Sequence, residues 1–235
     1  MSKVPLTFMK SDGGLAPVHD FGGHQAILSG PAGGVVGYAK TLFNPHVKVS
    51  NDREQGMPVI GFDMGGTSTD VSRYDGKHWE IVMETVTAGI AIQAPQLDIH
   101  TVAAGGGSRL FWSRGMLIVG PESARAYPGP VAYRNNGYLA VTDANVVLGR
   151  VIPKYFPSIF GPDENEPLDV DGARTAFEGL LREHSHDQKE GVEWNVDALA
   201  YGFLQVANEA MCRPIRNLTQ MKGYDVSSLQ SQEIY

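Results

Sequence analysis

The sequence predicts an α/β fold, with strands concentrated in its first half and two helices near its end. A buried, partly β-branched run, PVIGFDM at residues 58–64, is typical of a core strand. Apolar residues spaced four, three and four apart from Leu199 to Ala210 indicate an amphipathic helix. The 28 glycines among 235 residues lie mostly before residue 130, where they indicate tight turns and close backbone contacts.

The first 57 residues predict a short strand, a glycine-rich helix and a polar linker. A strand and loop occupy residues 1–20, with Gly13 and Gly14 as the break. The helix begins near Ser29, with Pro31 in its first turn. Because each helical glycine costs about 1 kcal/mol relative to alanine, this helix must be held by tertiary packing. Residues 44–57 are polar and predict a linker.

The middle of the chain predicts a β-meander of three strands, at residues 58–64, 69–74 and 79–86. Two further short strands are expected at residues 116–119 and 138–141, on either side of a rigid loop at residues 120–130. Four prolines within residues 150–170 indicate an irregular connector.

Helices follow from residue 171 onward. Asp171 is predicted to cap a helix that ends near Glu183, and Asn195 or Asp197 to open a longer one. Pro214 should kink or interrupt that helix, and Gly223 should end it. We predict one partial domain over residues 1–225, followed by a loose, divergent tail at residues 226–235.

Composition excludes several classes of protein. The net charge of −7, without a basic stripe, argues against binding nucleic acid or an anionic membrane surface. No apolar run reaches the roughly 20 residues that span a bilayer. The single cysteine, Cys212, cannot form an internal disulfide, which favours a reducing, cytosolic location.

The string VIGFDMGGTSTDVS at residues 59–72 is the strongest chemical signal. A buried strand brings a carboxylate to its end, and two glycines permit a turn that presents several backbone N–H groups to one point, an arrangement that binds phosphate. Hydrated Mg²⁺ prefers a few carboxylates together with phosphates and water. The alternative is a plain hairpin with a glycine turn. The candidate phosphate ligands are Gly65, Gly66, Thr67, Ser68 and Thr69, and the candidate catalytic carboxylates are Asp63 and Asp70, with Asp63 also the candidate Mg²⁺ ligand.

Two weaker candidates follow. The run AAGGGS at residues 103–108 allows Gly105, Gly106, Gly107 and Ser108 to present N–H groups to a second anion, or it is a flexible loop. Asp98 and His100 would share a face of a strand as a metal or acid–base pair, with a surface pair as the alternative. For Asp143, capping a helix is favoured over a catalytic role.

The residue 59–72 string lacks a Walker pattern and resembles the phosphate hairpins of the actin, sugar-kinase and heat-shock chaperone ATPase superfamily. Two lobes of the ribonuclease H-like type clamp ATP in that superfamily, and the order of elements here is similar to the second lobe. Taken with the other segments, the chain resembles the hydantoinase A/oxoprolinase family and, within it, the eukaryotic-type ATP-dependent 5-oxoprolinases. The segments that carry the resemblance are SDGGLAP (11–17), LSGPAGGVVGY (28–38), GFDMGGTSTDVSRYDG (61–76), QAPQLDIHTVAAGGGSRL (93–110), VGPESARAYPGP (119–130), VTDANVVLGR (141–150), YFPSIFGP (155–162) and VANEAMCRPIRNLTQMKGYD (206–225).

The resemblance implies an ATP-dependent lactam hydrolase of the glutathione cycle, which opens 5-oxo-L-proline or a related cyclic amide with Mg²⁺ and, as a further ion, K⁺. It implies that Asp63 orients Mg²⁺ while Gly65, Gly66 and Thr67 cradle phosphate. It also implies an internal fragment, because the family's first phosphate hairpin and its adenosine-contacting segment are not found here, and a homodimer in the full-length form. Arg125 stands where the family usually has glycine.

Two alternatives remain open beside a fragment of a 5-oxoprolinase. One keeps the family but changes the reaction, to hydantoin cleavage or to an ATP-dependent carboxylase subunit. The other is a truncated, non-catalytic chain that binds only phosphate or pairs with full-length subunits. The sequence does not locate the pocket for the cyclic amide.

Overall fold

A computed structural model describes residues 4–46, 48–50, 53–54, 56–87, 89–184, 194–224 and 230–234. The strands are β1 (Thr7–Met9), β2 (Leu15–Pro17), β3 (Lys48–Ser50), β4 (Arg53–Glu54), β5 (Val59–Met64), β6 (Thr69–Tyr74), β7 (Ile81–Val82), β8 (Thr85–Thr87), β9 (Ile90–Ile92), β10 (Gln96–Leu97), β11 (Ile99–Val102), β12 (Ser108–Ser113), β13 (Met116–Ser123) and β14 (Gln230–Ile234). The helices are α1 (Ser29–Thr41), α2 (Val141–Val147), α3 (Val170–Glu183) and α4 (Val196–Leu218).

The chain forms two compact units. The first unit comprises Met1–Asp63, Asp70–Thr101 and Pro214–Tyr235, and the second comprises Met64–Thr69 and Val102–Arg213. The chain therefore passes from the first unit to the second and back within the hairpin of β5 and β6. None of the helices in the described ranges combines the length and apolarity that crossing a bilayer requires.

A four-stranded sheet in the order β11-β6-β5-β14 organises the first unit. Val59 packs with buried residues of α1, whereas its neighbour Ile60 packs with Val71 and with Leu218 at the end of α4. Because successive side chains of a strand point to opposite faces, the sheet buries both faces.

Close packing holds the glycine-rich helix α1, as its sequence requires. The Tyr38 ring lies so close to Gly61 that a Cβ there would be 2.1 Å from a ring carbon. The buried Tyr38 hydroxyl is 2.9 Å from the Ser72 hydroxyl, within hydrogen-bonding distance, which satisfies a polar group inside this contact.

The predicted meander is wrong beyond its first hairpin. β7 pairs antiparallel with β10, and the neighbour of β6 is β11. The Asp75 turn does form, with its carboxylate accepting the N–H groups of Lys77 and His78. Beyond the turn, the Trp79 ring packs at 4.7 Å from the Tyr74 ring, and β7, the next strand among the described residues, pairs with β10 and not with β6.

The loose tail is also wrong for the part that the structure describes. β14 pairs in parallel with β5, from Gln230 opposite Val59 to Ile234 opposite Asp63. Residues 226–229 and 235 of the predicted tail lie outside the described residues. Strand pairing uses backbone groups, so a polar segment can add to a sheet edge without an apolar pattern. The predicted linker at residues 44–57 similarly contains the pair β3 and β4.

The second unit contains the β12–β13 hairpin, α2, α3 and α4 up to Arg213. β13 extends to Ser123, into the predicted rigid loop, and α2 begins at Val141, where a strand was expected. Only isolated bridges form at Tyr138 and Ala140. The N–H of Tyr138 donates to the Gly129 carbonyl, and the N–H of Ala140 donates to the Asp143 carboxylate at 2.8 Å.

The helix boundaries in the C-terminal part follow from their caps. Asp169, and not Asp171, caps α3, because its carboxylate accepts the N–H of Gly172 at 2.9 Å. Asn195 opens α4 as predicted, accepting the N–H of Ala198 at 2.8 Å. α4 continues through Pro214, which does not interrupt it, and ends at Leu218. Gly223, with a φ of +80°, ends the short 3-10 helix Gln220–Lys222 that follows, and not α4 itself.

Candidate functional site

The turn between β5 and β6 lies in the second unit and exposes Gly65, Gly66 and Thr67. The N–H of Gly65 donates to the carbonyl of Ser68 at 2.9 Å and closes the turn. The N–H groups of Gly66, Thr67 and Ser68 have no acceptor among the residues that the structure describes. Three consecutive unpaired N–H groups on an exposed turn form a site that fits the oxygens of a phosphate group.

The AAGGGS loop has a different role from the predicted one. The N–H of Gly106 donates to the Gly65 carbonyl at 3.0 Å, and that of Gly107 donates to the Gly66 carbonyl at 2.6 Å. The N–H of Gly105 donates to the Ser108 hydroxyl at 2.9 Å, and the N–H of Ser108 returns to the Gly105 carbonyl. All four N–H groups predicted to face an anion are thus engaged within the protein. The geometry favours a loop that supports the turn between β5 and β6 through its backbone hydrogen bonds.

This support requires glycine at two positions. A Cβ on Gly105 would lie 2.5 Å from the Gly65 carbonyl oxygen, and one on Gly107 would lie 2.9 Å from the Gly66 carbonyl oxygen. Real Cβ atoms do not approach backbone so closely, so only glycine permits the two loops to hydrogen-bond. The start of α2 extends the contact, because the N–H of Thr142 donates to the Gly106 carbonyl.

Among the predicted hydroxyl donors, the structure separates Thr67 from Thr69. Thr69 is fully buried, and its hydroxyl donates to the Ala104 carbonyl at 2.6 Å, so its side chain ties the turn to the glycine loop. The Thr67 hydroxyl remains on the exposed side, 3.4 Å from the Ser123 hydroxyl. The side chain of Thr67 is therefore the better placed of the two to meet a ligand.

Asp63 and Asp70 lie in the first unit, at the adjoining ends of β5 and β6. Burial raises the pKa of Asp63, and the negative charge of Asp70 raises it further. The Asp70 carboxylate accepts the Thr101 hydroxyl at 2.5 Å. Two carboxylates that repel each other are stabilised by a divalent cation, so this pair fits Mg²⁺ held by few protein ligands. Within the described ranges, no group of three or more metal-binding side chains forms.

Asp98 and His100 are brought together in the first unit, with Nε2 of His100 3.3 Å from the Asp98 carboxylate. The Lys222 ammonium also contacts Asp98, at 2.5 Å, and reaches Glu80 at 2.7 Å. Hydrogen bonds from His100 and Lys222 lower the pKa of Asp98 to about 2. A carboxylate already paired with an ammonium favours the surface-pair alternative over a metal ligand. No local sequence signal places Lys222 there, because it lies 124 residues away.

Arg125 adopts a φ of +61°, in the left-handed region that favours glycine. This backbone conformation explains why glycine is usual at this position in the family that the sequence resembles. The N–H of Arg125 donates to the Ser123 hydroxyl at 3.0 Å, so this residue belongs to the same surface as Thr67.

Comparisons with known proteins agree with the sequence resemblance. A family model described as Hydantoinase/oxoprolinase matches residues 1–232. The 5-oxoprolinase 1 of Arabidopsis thaliana is 58% identical over 232 residues, which are 97% of this chain and 18% of that protein. The chain thus spans about a fifth of the length of this curated relative.

Two solved structures share the fold. The ATP-dependent caprolactamase of Pseudomonas jessenii matches with a TM-score of 0.72 and 29% identity, over 98% of this chain and 31% of that one. Nucleotide-free acetone carboxylase matches with a TM-score of 0.76 and 22% identity, over 97% of this chain and 30% of that one. The second likeness shows the fold alone. Together they confirm the predicted α/β class and its actin-like ATPase type.

Proposed function

Because the chain belongs to the hydantoinase/oxoprolinase family, we propose that it is part of an ATP-dependent hydrolase that opens 5-oxo-L-proline to L-glutamate. The 58% identity to a 5-oxoprolinase, against 29% to the caprolactamase structure, supports this substrate. The observation that carries the ATP-dependent step is the exposed turn with three N–H groups unpaired among the described residues.

A five-membered lactam needs activation because amide resonance makes its carbonyl carbon a poor electrophile. Transfer of the γ-phosphoryl group of ATP to the lactam oxygen would release ADP and supply that activation. Water would then attack the activated carbon, and ring opening and release of phosphate would follow. The contribution of this chain is positioning and charge neutralisation. The N–H groups of Gly66, Thr67 and Ser68 hold phosphoryl oxygens, and Asp63 and Asp70, which flank the turn in the sequence, hold Mg²⁺.

The remaining features of the proposal come from the composition and the resemblance. A cytosolic location fits the single cysteine. A place in the glutathione cycle, a requirement for K⁺ and a homodimer in the full-length form follow from the resemblance to eukaryotic-type 5-oxoprolinases.

Substitution of Gly66 tests the role of the turn. Gly66→Pro removes one of the unpaired N–H groups, whereas Gly66→Ala keeps it and places its Cβ in open space. Loss of one hydrogen bond to a charged group should weaken binding of MgATP by about tenfold or more in Gly66→Pro. Isothermal titration calorimetry on both variants measures the effect, with circular dichroism to confirm folding. Equal affinities in the two variants would remove the turn from phosphate binding.

A further inference from the structure

A cleft of about 550 Å³ adjoins the phosphate turn within the second unit. Its lining includes Thr67 from the turn, Arg109 from β12, and Glu122 and Arg125 from β13 and the loop after it. The volume falls within the range of small-molecule sites. Its chemistry does not, however, suit an apolar ligand, because two arginines and a glutamate are among the residues that line it.

Arg109 is the fixed cation of this cleft. Its guanidinium forms an ion pair with Glu122, which lies on the neighbouring strand β13. It also lies over the ring of Tyr138, 3.9 Å from the ring centre, and 4.9 Å from that of Phe111. The side chain is 26% exposed, so these contacts hold it against the cleft wall. Since a guanidinium has five N–H donors and Glu122 engages one nitrogen, donors remain for a second carboxylate.

Arg125 supplies a second cation at the exposed rim. Its side chain makes no ion pair or hydrogen bond with the described residues. Its backbone adopts a φ of +61°, at the start of the loop that follows β13. Arg109, Arg125 and Glu122 together carry a formal charge of +1. A site with this balance suits a monoanion better than a polyphosphate, which would be repelled by Glu122.

We propose that this cleft binds the substrate as a cyclic amide that bears a carboxylate next to its ring nitrogen. Arg109 and Arg125 bind the carboxylate, and Glu122 accepts the ring N–H. The inference rests on the proposed function and deepens it, because it selects carboxylated lactams over neutral ones. The position beside Thr67 is the one that phosphoryl transfer requires, since the acceptor oxygen must lie next to the transferred group.

The test compares two ligands that differ only in the carboxylate. The ¹⁵N-labelled chain is titrated with 5-oxo-L-proline and with 2-pyrrolidinone, and the dissociation constants are read from amide shifts. We expect 5-oxo-L-proline to bind at least about tenfold more tightly, because charge-assisted hydrogen bonds are lost with 2-pyrrolidinone. Arg109→Gln should abolish that preference, and Arg109→Lys, which keeps the charge but not the fork, should retain part of it.

Arg114→Gln serves as the matched control. Arg114 is an exposed arginine in the β12–β13 turn and does not line the cleft, so this variant should keep the full preference. A folded chain that binds neither ligand, or both equally, would overturn the inference. So would displacement of 5-oxo-L-proline by inorganic phosphate, because the cleft would then belong to the phosphate site. The affinity for MgATP, measured separately, tests the proposed function: its absence beside intact lactam selectivity would contradict that function and not the cleft.

Discussion

Asp143 illustrates how far a single residue can be predicted from the sequence. The pattern VTDAN indicated a helix cap, and the carboxylate does accept the N–H of Ala140 at 2.8 Å, at the start of α2. It also accepts the N–H groups of Ala132 at 2.8 Å and Val131 at 3.1 Å. These two donors lie in a separate loop 11 and 12 residues away, so no local pattern could identify them.

Removing this carboxylate should destabilise the protein. Asp143 is fully buried, so Asp143→Ala leaves three donors without their partner and should lower the free energy of unfolding by about 2 to 4 kcal/mol at pH 7. Asp171→Ala, an exposed position in the first turn of α3, should change it by only about 0.5 kcal/mol. Urea denaturation measures both. A similar small effect in the two variants would mean that the three hydrogen bonds contribute little.

The stability that Asp143 contributes should also depend on pH. Burial raises the pKa of Asp143 to about 6, against the hydrogen bonds that lower it, and an unfolded aspartate titrates near about 3.9. For a group with a raised folded pKa, the pH-dependent part of its contribution to stability is full below the unfolded pKa and is lost as pH rises through the folded pKa, whereas the three hydrogen bonds to the carboxyl group persist. The difference in stability between wild type and Asp143→Ala should therefore shrink between pH 4 and pH 7. A difference that grows with pH would indicate a lowered pKa instead.

At the scale of elements, the turn between β5 and β6 depends on the glycine loop at residues 105–108 that hydrogen-bonds to it. The sequence identified both segments and their glycines, but assigned the loop to anion binding. The error has a physical reason: glycine-rich segments permit close approach, and the sequence does not say whether a ligand or another backbone approaches. Here the partners of Gly106 and Gly107 are the carbonyls of Gly65 and Gly66.

A methyl group on the loop should therefore disturb the turn. In Gly105→Ala the new Cβ would lie 2.5 Å from the Gly65 carbonyl oxygen, and the backbone must move to relieve the contact. We expect a loss of about 1 to 3 kcal/mol in stability and weaker binding of MgATP. The matched variant Gly66→Ala meets open space and should keep both properties. Thermal unfolding and calorimetric titration compare the two, and equal behaviour would show that the loop does not support the turn.

Strand pairing was the least predictable property of the elements. The β5–β6 hairpin is local, with four residues between its strands, and it was predicted from its turn. The pairing of β6 with β11 and of β5 with β14 joins strands that are distant in sequence. A period-two pattern states which residues form a strand but not which edge it joins. The polar β14 lacked even that pattern.

At the scale of the molecule, the sequence was most informative where several motifs agreed. Eight sequence segments between residues 11 and 225, read together, resembled the hydantoinase/oxoprolinase family, and the family match over residues 1–232 confirms it. The division into two units was not predicted, because β5 and β6 look like one continuous hairpin. The turn between them belongs to the second unit through the hydrogen bonds of the glycine loop.

The most direct test of the central claim is turnover in a chimera. This chain would replace the matching segment of the Arabidopsis thaliana 5-oxoprolinase 1, with which it shares 58% of its residues. We predict that the chimera releases L-glutamate and ADP in equal amounts when given 5-oxo-L-proline and MgATP, and that Asp63→Asn in the chimera stops both. A folded chimera that binds MgATP but releases no glutamate, or an Asp63→Asn variant with the parent rate, would contradict the account.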